Sequence, residues 1–239
     1  MLWRCPICDS SHITDLVYHQ GVYRCECCCH LWRYPQTDYT FYQEHDYWYE
    51  DPMWFNFQKT YFAFFEKYIA YDKNALEVGA ANGDFLALVH QHIMRMGLKP
   101  NIYYNELNDL ISKELGYLFP KENRLIGPIE EISDIKGVPR LHFGNIFLIE
   151  VIEHFKDPML CIELLCNRLY EIGRMHIATD NASHLYGPDM MFRHPEHLHL
   201  FTETSFDILI QKLNLPLKKL FWWNSPAGKS YTVLEKKCV

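Results

Sequence analysis

Four cysteines near the start of the chain have the spacing of a metal site: Cys5, Cys8, Cys25 and Cys28 read C-x2-C-x16-C-x2-C. Two such knuckles on tight turns can place four thiolates around one ion, and an all-sulfur tetrahedral set suits zinc. Cys27, Cys29 and His30 stand beside the second knuckle as alternative ligands. Four sulfurs leave no open coordination position, so such a zinc would hold a fold rather than carry a reaction. A second chemical group lies far along the chain, where His194, His197 and His199 surround Glu196. A histidine titrates near neutrality, which makes Glu196 and His197 a candidate acid–base pair. The alternation of these histidines matches no standard metal-ligand spacing, and the plainer reading is a set of hydrogen-bonded loop histidines. A third group is the stretch 74–86, where an apolar run turns on Gly79, Ala81 and Gly83 and leaves as an amphipathic helix. Glycines there allow positive φ and let backbone amides approach a ligand at the helix N-terminus.

These groups need elements to hold them. Residues 13–19 and 22–24 suit two short strands between the knuckles, the make-up of a zinc ribbon. Residues 34–71 are dense in aromatics, and 52–70 are periodic enough for a helix with Asp51 as N-cap and Pro52 at N1. The rings there cement the small lobe to the rest, with Tyr47, Trp48 and Tyr49 as a candidate lid. A strand at 74–78 and a helix at 84–96 flank the glycine turn. The next strand, 101–106, ends in Glu106, 23 positions past Gly83. A carboxylate at that point can accept hydrogen bonds from both hydroxyls of a ribose, the alternative being an exposed acid that starts the next helix. Residues 125–127 form a third strand, with Ile129 beyond it as a candidate adenine contact. A buried strand ends at Glu150, and Asp157-Pro158 caps a helix expected to run through 170. A fifth strand covers 174–179 and leads into Asp180-Asn181. Thr202 caps a helix to 213 with Ser205 one turn in, and 217–223 with 229–234 suit a closing hairpin.

Composition narrows the classes. A hydrophobic share of 49% and an aromatic share of 15% supply a packed core. A net charge of −7 gives no general pull toward nucleic acid or anionic lipid. No apolar run approaches the roughly 20 residues that a membrane span needs, and the first residues lack a signal-peptide core. Six of the nine cysteines fall within the first 29 residues. Without an export signal that clustering reads as metal binding, and the chain is expected to be soluble and cytoplasmic.

Glu77-Val-Gly79-Ala-Ala81-Asn-Gly83 resembles motif I of the class I S-adenosylmethionine (SAM) methyltransferases, acidic-x-G-x-G-x-G, with Ala81 in place of the middle glycine. Glu150-Val-Ile-Glu153-His154 with Asp157-Pro158 resembles the signature after the fourth strand of that superfamily. Glu196-His197 with Phe201-Thr202 resembles the loop before the last helix in small-molecule and sugar methyltransferases. The front end is similar to that of sugar C-methyltransferases. The resemblance covers about 74–236. It implies a Rossmann-like α/β fold with a seven-stranded sheet and helices on both faces, joined to an N-terminal zinc ribbon. The implied division is 1–36 for the ribbon, 37–72 for the aromatic connector and 73–239 for the methyltransferase domain. It further implies SAM as cofactor, held by Glu77, Gly79, Ala81, Gly83, Glu106, Ile129 and Glu150. Methyl transfer would go to a small-molecule or carbohydrate acceptor with Glu196 and His197 moving the proton, beside a structural zinc on Cys5, Cys8, Cys25 and Cys28. Two other readings stay open, an RNA methyltransferase and a non-catalytic SAM-binding protein.

Overall fold

The computed structural model describes residues 4–16, 21–34, 36, 52–131, 141–183 and 195–238. Asp51, the candidate lid from Tyr47 to Tyr49, and His194 lie outside the described residues. The small N-terminal strands are β1 (Ile13–Asp15), β2 (Val22–Cys25) and β3 (Leu31–Arg33). Helix α1 (Pro52–Phe65) follows. An alternating series comes next: β4 (Ala75–Val78), α2 (Asp84–Arg95), β5 (Ile102–Asn105), α3 (Asp109–Leu118), β6 (Arg124–Leu125), β7 (Phe143–Ile149), α4 (Pro158–Cys166) and β8 (Leu169–Asp180). The chain closes with β9 (His199–Leu200), α5 (Glu203–Leu213), β10 (Leu217–Asn224) and β11 (Lys229–Lys236).

The large sheet has the order β10-β11-β8-β7-β4-β5-β6. Strands β6, β5, β4, β7 and β8 are parallel, and β11 pairs antiparallel with both β8 and β10. The central strands β4 and β7 are buried at every position, as expected of parallel strands covered on both faces. One core cluster joins Tyr61 and Phe65 of α1 to Phe85, Leu86 and Val89 of α2 and Leu115 of α3. A second joins Ile162 and Leu165 of α4 to Phe206 and Leu209 of α5, and it continues into Cys5, Ile7 and Trp32 of the small lobe. Asn145 on β7 fixes the chain after α1, donating to Ala70 O at 2.8 Å and accepting from Ala70 N at 2.9 Å.

Local signals set the helix ends. Asp157 accepts from Leu160 N with Pro158 at the first helical position. Thr202 and Ser205 form a capping box. The helix expected to reach residue 170 stops at Cys166, because Leu169 is drawn into the sheet opposite Phe143. The fifth strand is correspondingly longer than 174–179 and turns through Ile172 at φ +58°.

The small lobe does not close on itself. Its sheet has the order β1-β2-β3-β9, so the fourth strand comes from residues 199 and 200. Hydrogen bonds therefore cross the division expected at residue 36. Among the described residues no helix is long and apolar enough to cross a membrane.

Candidate active site and cysteine cluster

The carboxyl ends of β4 and β5 carry the glycine loop. Gly79 at φ +65° and Gly83 at φ +78° use the conformation that glycine tolerates, and Gly83 is the N-cap of α2. Side chains also demand them. A Cβ on Gly79 would stand 2.6 Å from Val151 Cγ2, and one on Gly83 2.4 Å from Leu115 Cδ2. Ala81 takes φ +47°, and its N–H donates to Glu106 Oε2 at 2.9 Å. The N–H of Asn108 donates to Glu106 Oε1 at 2.8 Å. Glu106 thus ties the loop after β4 to the end of β5. Burial raises its pKa, with backbone N–H groups of Asn108, Ala81 and Leu107 pulling the other way. Glu77 is buried beneath the loop, and its Oε2 has no hydrogen-bond partner among the described residues. Burial first, then the charges of Asp84 and Glu106, push its pKa well up. Asn105 donates to Leu125 O and Gly127 O and so holds the turn that leads to Ile129, a buried member of the core.

A buried charge cluster sits at the carboxyl ends of β7 and β8. Glu150 follows β7 at φ +54°, Glu153 lies just beyond it, and Asp180 ends β8. One oxygen of each lies within 4.8 Å of the others. Lys229, the cross-strand neighbour of Asp180, places its ammonium on both Glu150 and Asp180. Burial opposes the lysine's charge, yet those two carboxylates outweigh it and hold the Lys229 pKa well above its ordinary value. Glu153 accepts from the Thr179 hydroxyl at 2.9 Å. Burial and the charges of Glu150 and Asp180 push the Glu153 pKa well up, which favours its neutral form. The hydroxyl of Tyr61 also reaches Glu150, whose pKa burial raises against the pull of Lys229.

The segment 195–202 runs past this cluster into the small lobe. His197 Nδ1 lies 3.6 Å from Asp180 Oδ2, and the ring meets His154 edge-on at 4.9 Å. Glu196 is buried and faces Arg33, while its carbonyl accepts from His154 Nδ1 at 3.1 Å. A carboxylate distant in sequence, Asp180, thus stands beside His197. His199 is fully buried, with its Nδ1 3.0 Å from His30 Nε2. Burial lowers its pKa to about 4, so it fills the core as a neutral ring and is not poised as a base. Leu198 N donates to Glu153 O, Arg33 N to Leu198 O, and Thr202 Oγ1 to Cys28 O, each at 2.9 Å.

Four sulfurs converge at the base of that lobe. Cys5 and Cys28 stand 3.6 Å apart, Cys8 and Cys25 3.4 Å, and all four lie within 4.8 Å. A tetrahedral ion with roughly 2.3 Å metal–sulfur bonds places its sulfurs about 3.8 Å apart, so the set fits zinc. Cys27 points to Ser10, Cys29 faces Arg24, and His30 is taken up by His199. None of the three joins the cluster.

No protein-family profile matches the sequence, and no curated protein matches it. Solved structures do match. A SAM-dependent methyltransferase from Archaeoglobus fulgidus superposes with a TM-score of 0.60 at 15% identity, covering 80% of this chain and 100% of its own. A SAM-dependent methyltransferase from Aquifex aeolicus gives 0.60 at 12% identity, with 84% and 100% covered. The N-methyltransferase NodS from Bradyrhizobium japonicum gives 0.55 at 13%, with 79% and 99% covered.

The chain has the class I SAM methyltransferase fold. On that fold the glycine loop and Glu106 come together as the sequence spacing implies, and the four expected cysteines converge. Local reading missed Asn105, Asp180 and Lys229, because each acts through a partner far away in the chain.

Proposed function

We propose that the protein is a SAM-dependent methyltransferase that acts on a small-molecule or carbohydrate acceptor. The observation that carries the reading is Glu106, whose carboxylate oxygens lie between the glycine loop and the end of β5, held by the N–H groups of Ala81 and Asn108 with Leu107 beside them. Those acceptors suit the hydroxyls of a ribose. Gly79, Ala81 and Gly83 give the cofactor close backbone approach, Ile129 borders the adenine, and the unspent oxygen of Glu77 suits a nearby ammonium. SAM supplies a methyl group already activated on sulfonium, so the chain's part is to hold the acceptor in line and exclude water. Glu150 borders that end of the site, His197 takes the acceptor's proton, and Glu196 fixes the loop through Arg33. Cys5, Cys8, Cys25 and Cys28 hold one structural zinc.

Calorimetric titration of the zinc-loaded protein with SAM and with S-adenosylhomocysteine tests this reading. Micromolar binding of both is expected. Absence of binding to folded protein would remove it.

A further inference from the structure

We propose that Asp180 is the positioning residue for His197: held at one oxygen by Lys229, its carboxylate orients the ring and fixes its proton on Nδ1. The inference rests on the methyltransferase reading for its purpose, but its geometry stands apart from the cofactor.

Asp180 is fully buried. Its Oδ1 accepts from Lys229, whereas its Oδ2 has no hydrogen-bond partner among the described residues. A buried carboxylate oxygen left unsatisfied is costly, and the group that faces this one is His197 Nδ1, at ion-pair separation. Uncomplexed sites commonly show such pairs longer than they become with a ligand bound. The backbone holds both partners. Lys229 lies directly across from Asp180 in the β8–β11 pair, and Asn181 N donates to Gly228 O at 2.9 Å. On the other side Asn181 bridges to Phe201, and Ala182 N donates to Phe201 O at 3.0 Å. The strand end that bears Asp180 is therefore stitched to the segment that bears His197.

Lys229 also sets the place of the carboxylate. Its ammonium lies between Glu150 and Asp180, in the position a divalent ion would take among the three acids. When the ring takes the proton that the acceptor gives up, Asp180 neutralises the resulting imidazolium, and the proton then leaves to water. Among the described residues, the charged and titratable groups at the ring are Asp180 from β8 and His154 after β7, with Lys229 from β11, Glu150 and Glu153 in the cluster behind Asp180 and Glu196 on its own segment.

Nitrogen-15 NMR of the imidazoles in the zinc-loaded protein tests the assignment, with the His197 signal identified by its loss in His197→Gln. The expected wild-type result is the Nδ1–H tautomer. In Asp180→Asn, which keeps the shape and removes the charge, the His197 pKa should fall by about one unit. A wild-type Nε2–H tautomer would overturn the proposal without any variant. So would an unchanged tautomer and pKa in Asp180→Asn that retains its circular dichroism. Affinity for S-adenosylhomocysteine is read on the same samples and bears on the methyltransferase reading alone.

Discussion

Replacing Glu106 by glutamine tests whether one carboxylate organises the cofactor end. In the structure the two oxygens each accept a backbone N–H, from Ala81 at 2.9 Å and from Asn108 at 2.8 Å. An amide of the same shape can satisfy only one of them, since its other end is itself a donor. The variant therefore loses one hydrogen bond to a charged group, worth about 1.5–3 kcal/mol, and weakens the other. Relief of the buried charge offsets part of this, because burial already disfavours the ionised form. The net expectation is a loss of about 2 kcal/mol in denaturant unfolding. Affinity for S-adenosylhomocysteine should fall at least about tenfold, since about 1.4 kcal/mol in binding is a factor of ten. On the proposed reading the loss comes both from the ribose contact and from a loop no longer held at Ala81. Calorimetry and unfolding on the same preparation measure the two effects. Equal stability and equal affinity in Glu106→Gln would refute the argument at its root.

Removing zinc with a chelator, or introducing Cys28→Ser, should release one ion per chain. The Arg33 amide, which donates to Leu198 O, should lose its protection in hydrogen exchange. Retained protection would show that the segment 195–202 does not depend on the metal. Thr202→Val removes a helix cap and strands the buried Cys28 carbonyl, and should cost about 2 kcal/mol in denaturant unfolding, recovered largely by Thr202→Ser. His176 is fully buried between β7 and α1, and burial lowers its pKa to about 3. The native state holds it neutral while the unfolded chain takes up a proton below about 6.5. Its contribution is therefore complete above about pH 6.5 and is lost as pH falls toward 3, at up to about 1.4 kcal/mol per pH unit. His176→Gln should flatten that part of the profile of stability against pH, and an unchanged profile would count against the buried neutral ring.

Sequence reading succeeded where the cause is local. Asp157-Pro158 and Thr202 with Ser205 start helices by hydrogen bonds within one turn, and the glycine loop is dictated by backbone angles at Gly79 and Gly83. The four cysteines were legible because two C-x2-C pairs on tight turns bring their sulfurs together. The rest was hidden for physical reasons. His197 reads as the partner of its neighbour Glu196, but the backbone turns that carboxylate toward Arg33 and brings in Asp180. Lys229 opens a hairpin strand that looks solvent-facing in isolation, and only the register with β8 reveals the acids that it serves. His199 looks like a member of a titratable cluster until β9 carries it into the core beside His30.

The pairing of β3 with β9 bears on the order in which the protein can be made. Trp32 and Leu31 find their strand partners in His199 and Leu200, so the small sheet must wait for most of the chain to leave the ribosome. Contacts so distant in sequence form late and slowly. Until then the cysteine knuckles can capture a metal, but β3 remains an open edge lined with apolar side chains, the kind of edge that invites pairing with other chains. Capture of the proposed zinc would order the knuckles but leave that edge open until residues 199 and 200 are made, the interval in which pairing with other chains competes with folding.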